Sequence, residues 1–255
     1  MNRDLFKQID DIVDAHVCIQ GEGRDSGVPS FLFRISGCNM NCQFKDSVCD
    51  SAYTSWRPET GKYSLKDIED LIHANPQIKY AFVTGGNPSF KPSLLQEIVN
   101  VLKANDLYVA IEDNGTLYSP FSGIDFVTLS PKLSNSVPKP GTIVNDPTMK
   151  DYVVTEQDRD KHEKYRTRYA SMRKWIQNYD YQLKFVVSDE NQLQEVKDII
   201  QELNADKNRV YLMPEGINRE QLDSRRQWLV ELCIREGFKF TDRLHIVTYG
   251  NRRDS

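Results

Sequence analysis

The chain has 255 residues, with 33 basic and 37 acidic side chains and a formal net charge of -4. So even a balance supplies no overall field to recruit nucleic acid or an anionic membrane surface. The first residues lack the apolar core of a signal peptide, and no run reaches the ~18 apolar residues of a membrane span, so a soluble, cytoplasmic protein is expected.

In chain order, residues 15–20, 30–35, 80–84, 107–111, 125–129, 181–187, 209–213 and 245–248 read as strands. Between them lie helical stretches at 64–73, Pro92–Ala104, 190–203 and Arg219–Glu236. In Pro92–Ala104 the apolar residues Leu94, Leu95, Ile98, Val101 and Leu102 recur at helical spacing, giving one face that can cover a sheet. Strand followed by covering helix predicts an α/β fold with a mostly parallel sheet. In such sheets ligands gather beyond the carboxyl ends of the strands. Four conspicuous loops take that position: the cysteine segment after Ile35, Gly85-Gly86-Asn87-Pro88, Glu112-Asp113-Asn114-Gly115 and Ser130-Pro131-Lys132. Residues 134–180 break the rhythm with prolines and mixed charge and read as an insertion with little core-forming material. The whole of 1–255 is otherwise expected to form a single domain.

Three of the five cysteines, Cys38, Cys42 and Cys49, fall within one short segment, with three and then six residues between them. Clustering of this kind does not resemble the spread framework of a secreted disulfide protein. Soft sulfur donors suit zinc or iron–sulfur. A structural zinc site or an all-cysteine [4Fe–4S] electron carrier wants a fourth protein ligand, whereas a cluster with one open iron gives the missing ligand a purpose. Inert clustering, zinc and iron–sulfur all stay open on spacing alone. Cys18, in an alternating strand, and Cys233, in a helix, read as small buried hydrophobes.

The segments Ile19-Gln20-Gly21-Glu22-Gly23, Phe33-Arg34-Ile35-Ser36-Gly37-Cys38-Asn39, Cys49-Asp50-Ser51-Ala52-Tyr53 and Thr84-Gly85-Gly86-Asn87-Pro88 closely resemble the 7-carboxy-7-deazaguanine synthase family of the radical S-adenosylmethionine (SAM) superfamily. Later pieces, Glu112-Asp113-Asn114-Gly115-Thr116, Leu129-Ser130-Pro131-Lys132, Leu183-Lys184-Phe185-Val186 and Leu244-His245 through Tyr249-Gly250-Asn251, look like the same family's in the same order. Likeness covers almost the whole chain outside 134–180. One departure is plain: the superfamily's usual spacing is C-x3-C-x2-C, and here four additional residues separate Cys42 from Cys49.

The resemblance implies a partial TIM-barrel-like radical SAM fold and a lyase of queuosine or related 7-deazapurine biosynthesis. Its reaction would be ring contraction of 6-carboxy-5,6,7,8-tetrahydropterin to 7-carboxy-7-deazaguanine with loss of ammonia. It further implies a [4Fe–4S] cluster on Cys38, Cys42 and Cys49, SAM lined by Gly85, Gly86, Asn87, Ser130 and Lys132, and Mg²⁺ at the Ser51 hydroxyl. Asn87 stands where many superfamily members carry Glu, so an amide carbonyl would hold the methionyl ammonium. Gln20, Glu22, Arg34 and His245 would meet the substrate, with Arg34 clamping its carboxylate and Glu22 accepting from its ring donors. Beyond the cluster and SAM no catalytic residue is assigned. A flavodoxin-like or other reductant and a homodimer are the partners implied, with neither membrane nor direct nucleic acid. Two alternative functions compete: a radical SAM activase acting on a partner protein, and a metal-stabilised RNA-binding module.

Overall fold

The computed structural model describes residues 11–253 apart from 46, 145, 147, 148 and 150. Among the described residues eight strands form one sheet in sequence order. β1 (Ile12–Ile19) runs antiparallel to β2 (Pro29–Ile35). β3 (Tyr80–Gly85), β4 (Tyr108–Asp113), β5 (Phe126–Leu129), β6 (Tyr181–Val187), β7 (Val210–Pro214) and β8 (Lys239–Phe240) then follow, each parallel to the last. The order leaves β1 and β8 as edges, so the α/β sheet is open.

Period-two alternation assigns the two faces of this sheet. Phe31, Phe33 and Ile35 of β2, Val83 of β3, Ile111 of β4, Leu183 and Phe185 of β6 and Leu212 of β7 share one apolar core. That face is covered by helices: α2 (Leu65–Ala74) contributes Ile68 and Ile72, α3 (Pro92–Ala104) Leu95 and Ile98, and α6 (Leu193–Leu203) Val196 and Ile199. α7 (Arg219–Glu236) adds Leu229, Leu232 and Cys233. Each such side chain stabilises the fold by about 1.5–3 kcal/mol relative to exposure. The opposite face is layered. Leu32, Phe82, Ala110 and Phe126 form an apolar floor. One residue pair further along the same strands stand Arg34, Thr84, Glu112 and Thr128. A polar layer above an apolar floor, backed by helices on the other side, is the cup of an incompletely closed barrel.

Residues 134–180 carry more core than their composition suggests. α4 (Glu156–Arg166) begins at a capping box in which Asp158 accepts from both Thr155 N–H and Thr155 Oγ1. α5 (Tyr169–Asn178) buries Met172 and Trp175 completely in the main core, and Trp175 Nε1 donates to Leu117 O at 2.7 Å. Val144, Met149 and Val154 form a second apolar cluster with Val48, Trp56 and Ala52 of the short helix α1 (Ala52–Ser55), beneath the cysteine segment. Prolines and charges mask these apolar residues because they are spread too widely to set a period.

The expected strand at 245–248 is instead a helix, α8 (Leu244–Tyr249). Its β-branched run favours a strand locally, but the sheet ends at the two-residue β8 and Leu244 N–H is taken by Gly21 O at 2.9 Å, so tertiary placement overrides propensity. No helix among the described residues is long and apolar enough to cross a membrane.

Candidate active site

A cavity of about 420 Å³ opens on the polar layer of the sheet. Its wall includes the end of β1 and the connection after it. Gln20 Nε2 donates to Glu112 Oε1 at 3.1 Å, and the Glu22 N–H donates to Gln20 Oε1 at 3.1 Å. The Glu22 carboxylate is held from two sides. Lys184 Nζ pairs with Oε2, and Arg243 Nε meets Oε1 at 2.9 Å. Lys184 also pairs with Glu112 at 3.1 Å, while Arg243 reaches Asp50 and donates to Gly216 O at 2.6 Å. His245 Nε2 lies 3.9 Å from Glu22 Oε1.

Charge pairing decides the protonation of this network. Burial alone raises a carboxyl, yet Lys184, Arg243 and His245 together hold Glu22 well below the usual carboxylate range. Burial likewise opposes a charged Lys184, but Glu112 and Glu22 override it and push its affinity for a proton up. Burial pulls His245 down, against the neighbouring Glu22 carboxylate, which pulls it up. The result is a preorganised set of charges centred on the buried Lys184 and Arg243, costly to break because removing a carboxylate partner leaves one of these cations unpaired.

Arg34 projects into the same cavity from β2. Its Nε pairs with Asp14 at 3.0 Å and its Nη1 donates to Ser51 Oγ at 2.9 Å. Ser51 Oγ in turn donates to Asp50 Oδ1 at 2.9 Å, which puts a hydroxyl and a carboxylate side by side as hard oxygen donors.

Cys38, Cys42 and Cys49 all line the cavity. Burial pushes each thiol up, Cys38 to about 12, so thiolates here need a cation to neutralise them. Three soft donors around one cavity suit an iron–sulfur cluster. Among the described residues no group of three or more His, Cys, Asp or Glu side chains is already drawn together around a metal position. The segment is braced from outside: Trp56 Nε1 donates to Cys42 O at 3.1 Å, Asn41 Nδ2 to Asp158 Oδ1 at 3.0 Å and Asn39 Nδ2 to Thr116 Oγ1 at 2.7 Å. The longer spacing has a local solution. Cys49 N–H donates to Cys42 O at 3.2 Å, Phe44 N–H to Ser47 O at 2.7 Å, and Gln43 bridges Val48, so the additional residues are turned back on themselves and Cys49 returns beside Cys42.

Ser130 and Lys132 also line the cavity, Lys132 Nζ donating to Ser130 Oγ at 2.8 Å. Gly85 and Gly86 reach it too, but what denies them a Cβ is protein backbone. At Gly86 a Cβ would stand 2.4 Å from Gly37 O and 2.6 Å from Thr54 O, and at Gly85 2.1 Å from Ile35 O. Asn87 does not line the cavity: it is fully buried, its Oδ1 accepts from Asn114 N–H at 2.8 Å and its Nδ2 donates to Ser89 Oγ at 2.9 Å. That carbonyl is already engaged in joining two loops.

Charged cavity residues to which the sequence assigned no role include Glu112, Lys184, Glu215 and Arg243. Lys184, which lies in one of the family-like segments, is 3% exposed. Glu215 directly follows β7, so the same strand-end rule that singled out the other loops reaches it.

No protein-family model matches the chain. Among curated relatives, a 7-carboxy-7-deazaguanine synthase of Rhodopirellula baltica is 34% identical over 243 residues, covering 95% of this chain and 87% of the relative. One of the same name from Halobacterium salinarum is 31% identical over 239 residues, covering 91% and 88%. Among solved structures, QueE from Escherichia coli matches with a TM-score of 0.60 at 18% identity, covering 96% of this chain and 99% of that one. This last likeness shows a shared fold.

Proposed function

The chain belongs to the 7-carboxy-7-deazaguanine synthase family, whose members are radical SAM lyases of queuosine biosynthesis, and on that premise we propose how its own residues serve the reaction. The substrate is 6-carboxy-5,6,7,8-tetrahydropterin and the product 7-carboxy-7-deazaguanine. The observation that carries this reading is the convergence of three thiols and a network of opposed charges on one cavity. Relatives spanning more than nine-tenths of the chain displace the activase and RNA-module alternatives.

Cys38, Cys42 and Cys49 hold the [4Fe–4S] cluster, and the Gly85-Gly86 backbone, Ser130 and Lys132 line the space for SAM. When bound, cluster and SAM supply the one-electron cleavage that starts hydrogen abstraction from the pterin. The protein's part is to bind, orient and keep water out. Arg34 would take the substrate carboxylate, and the neighbouring Ser51 hydroxyl and Asp50 carboxylate would hold Mg²⁺, which would supply a positive charge for substrate oxygens. Gln20 and Glu22 face the donor edge of the ring, with Lys184 and Arg243 fixing the carboxylate's position, and His245 offers a ring nitrogen at the same wall. A flavodoxin-like or other reductant, a homodimer and a cytoplasmic setting complete the proposal.

Single changes Cys38→Ala, Cys42→Ala and Cys49→Ala each abolish the SAM-responsive cluster signal in electron paramagnetic resonance, while Cys233→Ala retains it. An intact SAM-responsive cluster in Cys49→Ala would remove that residue from the ligand set.

A further inference from the structure

The turn between Cys42 and Cys49 does more than shorten the path between two ligands. Its outer side is anchored to residues 134–154: Gln43 N–H donates to Ser136 O at 2.9 Å, Gln43 Nε2 to Thr142 Oγ1 at 3.0 Å, and Lys139 N–H to Gln43 Oε1 at 2.8 Å. Val48 packs into the small apolar cluster with Trp56, Met149 and Val154. Its inner side faces the cavity through Phe44 and Ser47. There Ser47 Oγ donates to Glu215 Oε1 at 2.5 Å, and both residues are buried, at 5% and 2% exposure. Glu215 is itself fixed, since its Oε2 pairs with Arg225 of α7 at 3.0 Å and its N–H donates to Val187 O at 3.0 Å. A hydroxyl–carboxylate bond therefore joins the cysteine segment to the carboxyl end of β7 at the cavity. Neither residue is needed to ligate a cluster, and the turn already closes through its own backbone bonds.

We propose that Ser47 and Glu215 are positioning residues for the substrate: their hydrogen bond fixes the cavity wall between the cysteine segment and β7, holding the pterin where its hydrogen is taken. The inference rests on the function proposed above and adds residues to its site. A hydrogen bond to a charged, buried acceptor controls where its two segments sit, and losing it leaves the carboxylate short of a donor. Chemistry at a site tolerates little displacement, so a slackened wall lowers commitment of the bound substrate rather than cluster assembly.

Three proteins decide it: the reconstituted parent, Ser47→Ala, and Ser47→Thr, which keeps a hydroxyl. Two quantities are read under anaerobic conditions: calorimetric affinity for the carboxylated tetrahydropterin with SAM present, and free 5′-deoxyadenosine released per molecule of deazaguanine product. Ser47→Ala should weaken pterin binding by about tenfold and raise the released deoxyadenosine per product several-fold, with the cluster spectrum unchanged. Ser47→Thr should restore most of both. Parental values in Ser47→Ala, or equal losses in Ser47→Ala and Ser47→Thr, would overturn the assignment. Absence of product from the parent would instead count against the reaction itself, so the two failures are separable.

Discussion

Glu22 concentrates the electrostatics of the site, being held by Lys184 and Arg243 and approached by His245 at 3.9 Å. Replacing it with Gln keeps the shape and removes the charge, at an expected cost of about 1.5–3 kcal/mol of stability at neutral pH. Linkage gives the sign of its pH dependence. A carboxyl held below its ordinary value of 4.5 contributes stability that is fully present above that value and fades as pH falls through the folded-state value. Denaturant titrations of the metal-free parent and Glu22→Gln should therefore differ by their full amount above the ordinary value of 4.5 and draw together progressively as pH falls below it. A constant difference across that range would mean that Glu22 is not ionised in the fold. Gln20, Glu22, Arg34 and the three cysteines were legible because they sit in segments whose order carries a family likeness. Glu112 and Lys184 sit in such segments too but drew no role, and Arg243 lies just outside one, since a charged residue beside a strand reads the same in sequence whether solvated or buried. Only the meeting of residues 22, 112, 184 and 243, far apart in the chain, makes them partners.

Elements bring the loops together through close backbone approach at the ends of β2 and β3. Gly86 N–H donates to Ile35 O at 3.0 Å and Asn87 N–H to Gly37 O at 2.9 Å, which clamps the start of the cysteine segment onto the next loop. With carbonyl oxygens 2.4 and 2.6 Å from any added Cβ, Gly86→Ala must push the two loops apart. Overpacking of this kind typically costs about 1–3 kcal/mol. Iron bound per chain after reconstitution should fall along with the melting temperature, and parental iron content in Gly86→Ala would detach this junction from cluster binding. Helix and strand periods made most of the frame readable: Pro92–Ala104 and Arg219–Glu236 form with the expected bounds. The late helix Leu244–Tyr249 escaped because a short β-branched run does not distinguish helix from strand when the neighbouring sheet has no place left for it.

At the scale of the molecule, one open sheet separates two solvents: a helix-covered apolar core on one face and a polar cavity on the other. The α/β class and mostly parallel order were legible from the alternation of elements. The bracing of the cysteine segment by residues 134–180 was not, because Val144, Met149 and Val154 are scattered among prolines and charges and follow neither period. The function proposed above places cluster chemistry and pterin recognition in the same cup. The most direct test is anaerobic incubation of the reconstituted protein with 6-carboxy-5,6,7,8-tetrahydropterin, SAM, Mg²⁺ and a reductant, followed by mass analysis of the pterin-derived product. The account predicts 7-carboxy-7-deazaguanine and free ammonia in equal amounts, and none from Cys42→Ala. An unchanged pterin in the presence of an intact, SAM-responsive cluster would contradict it.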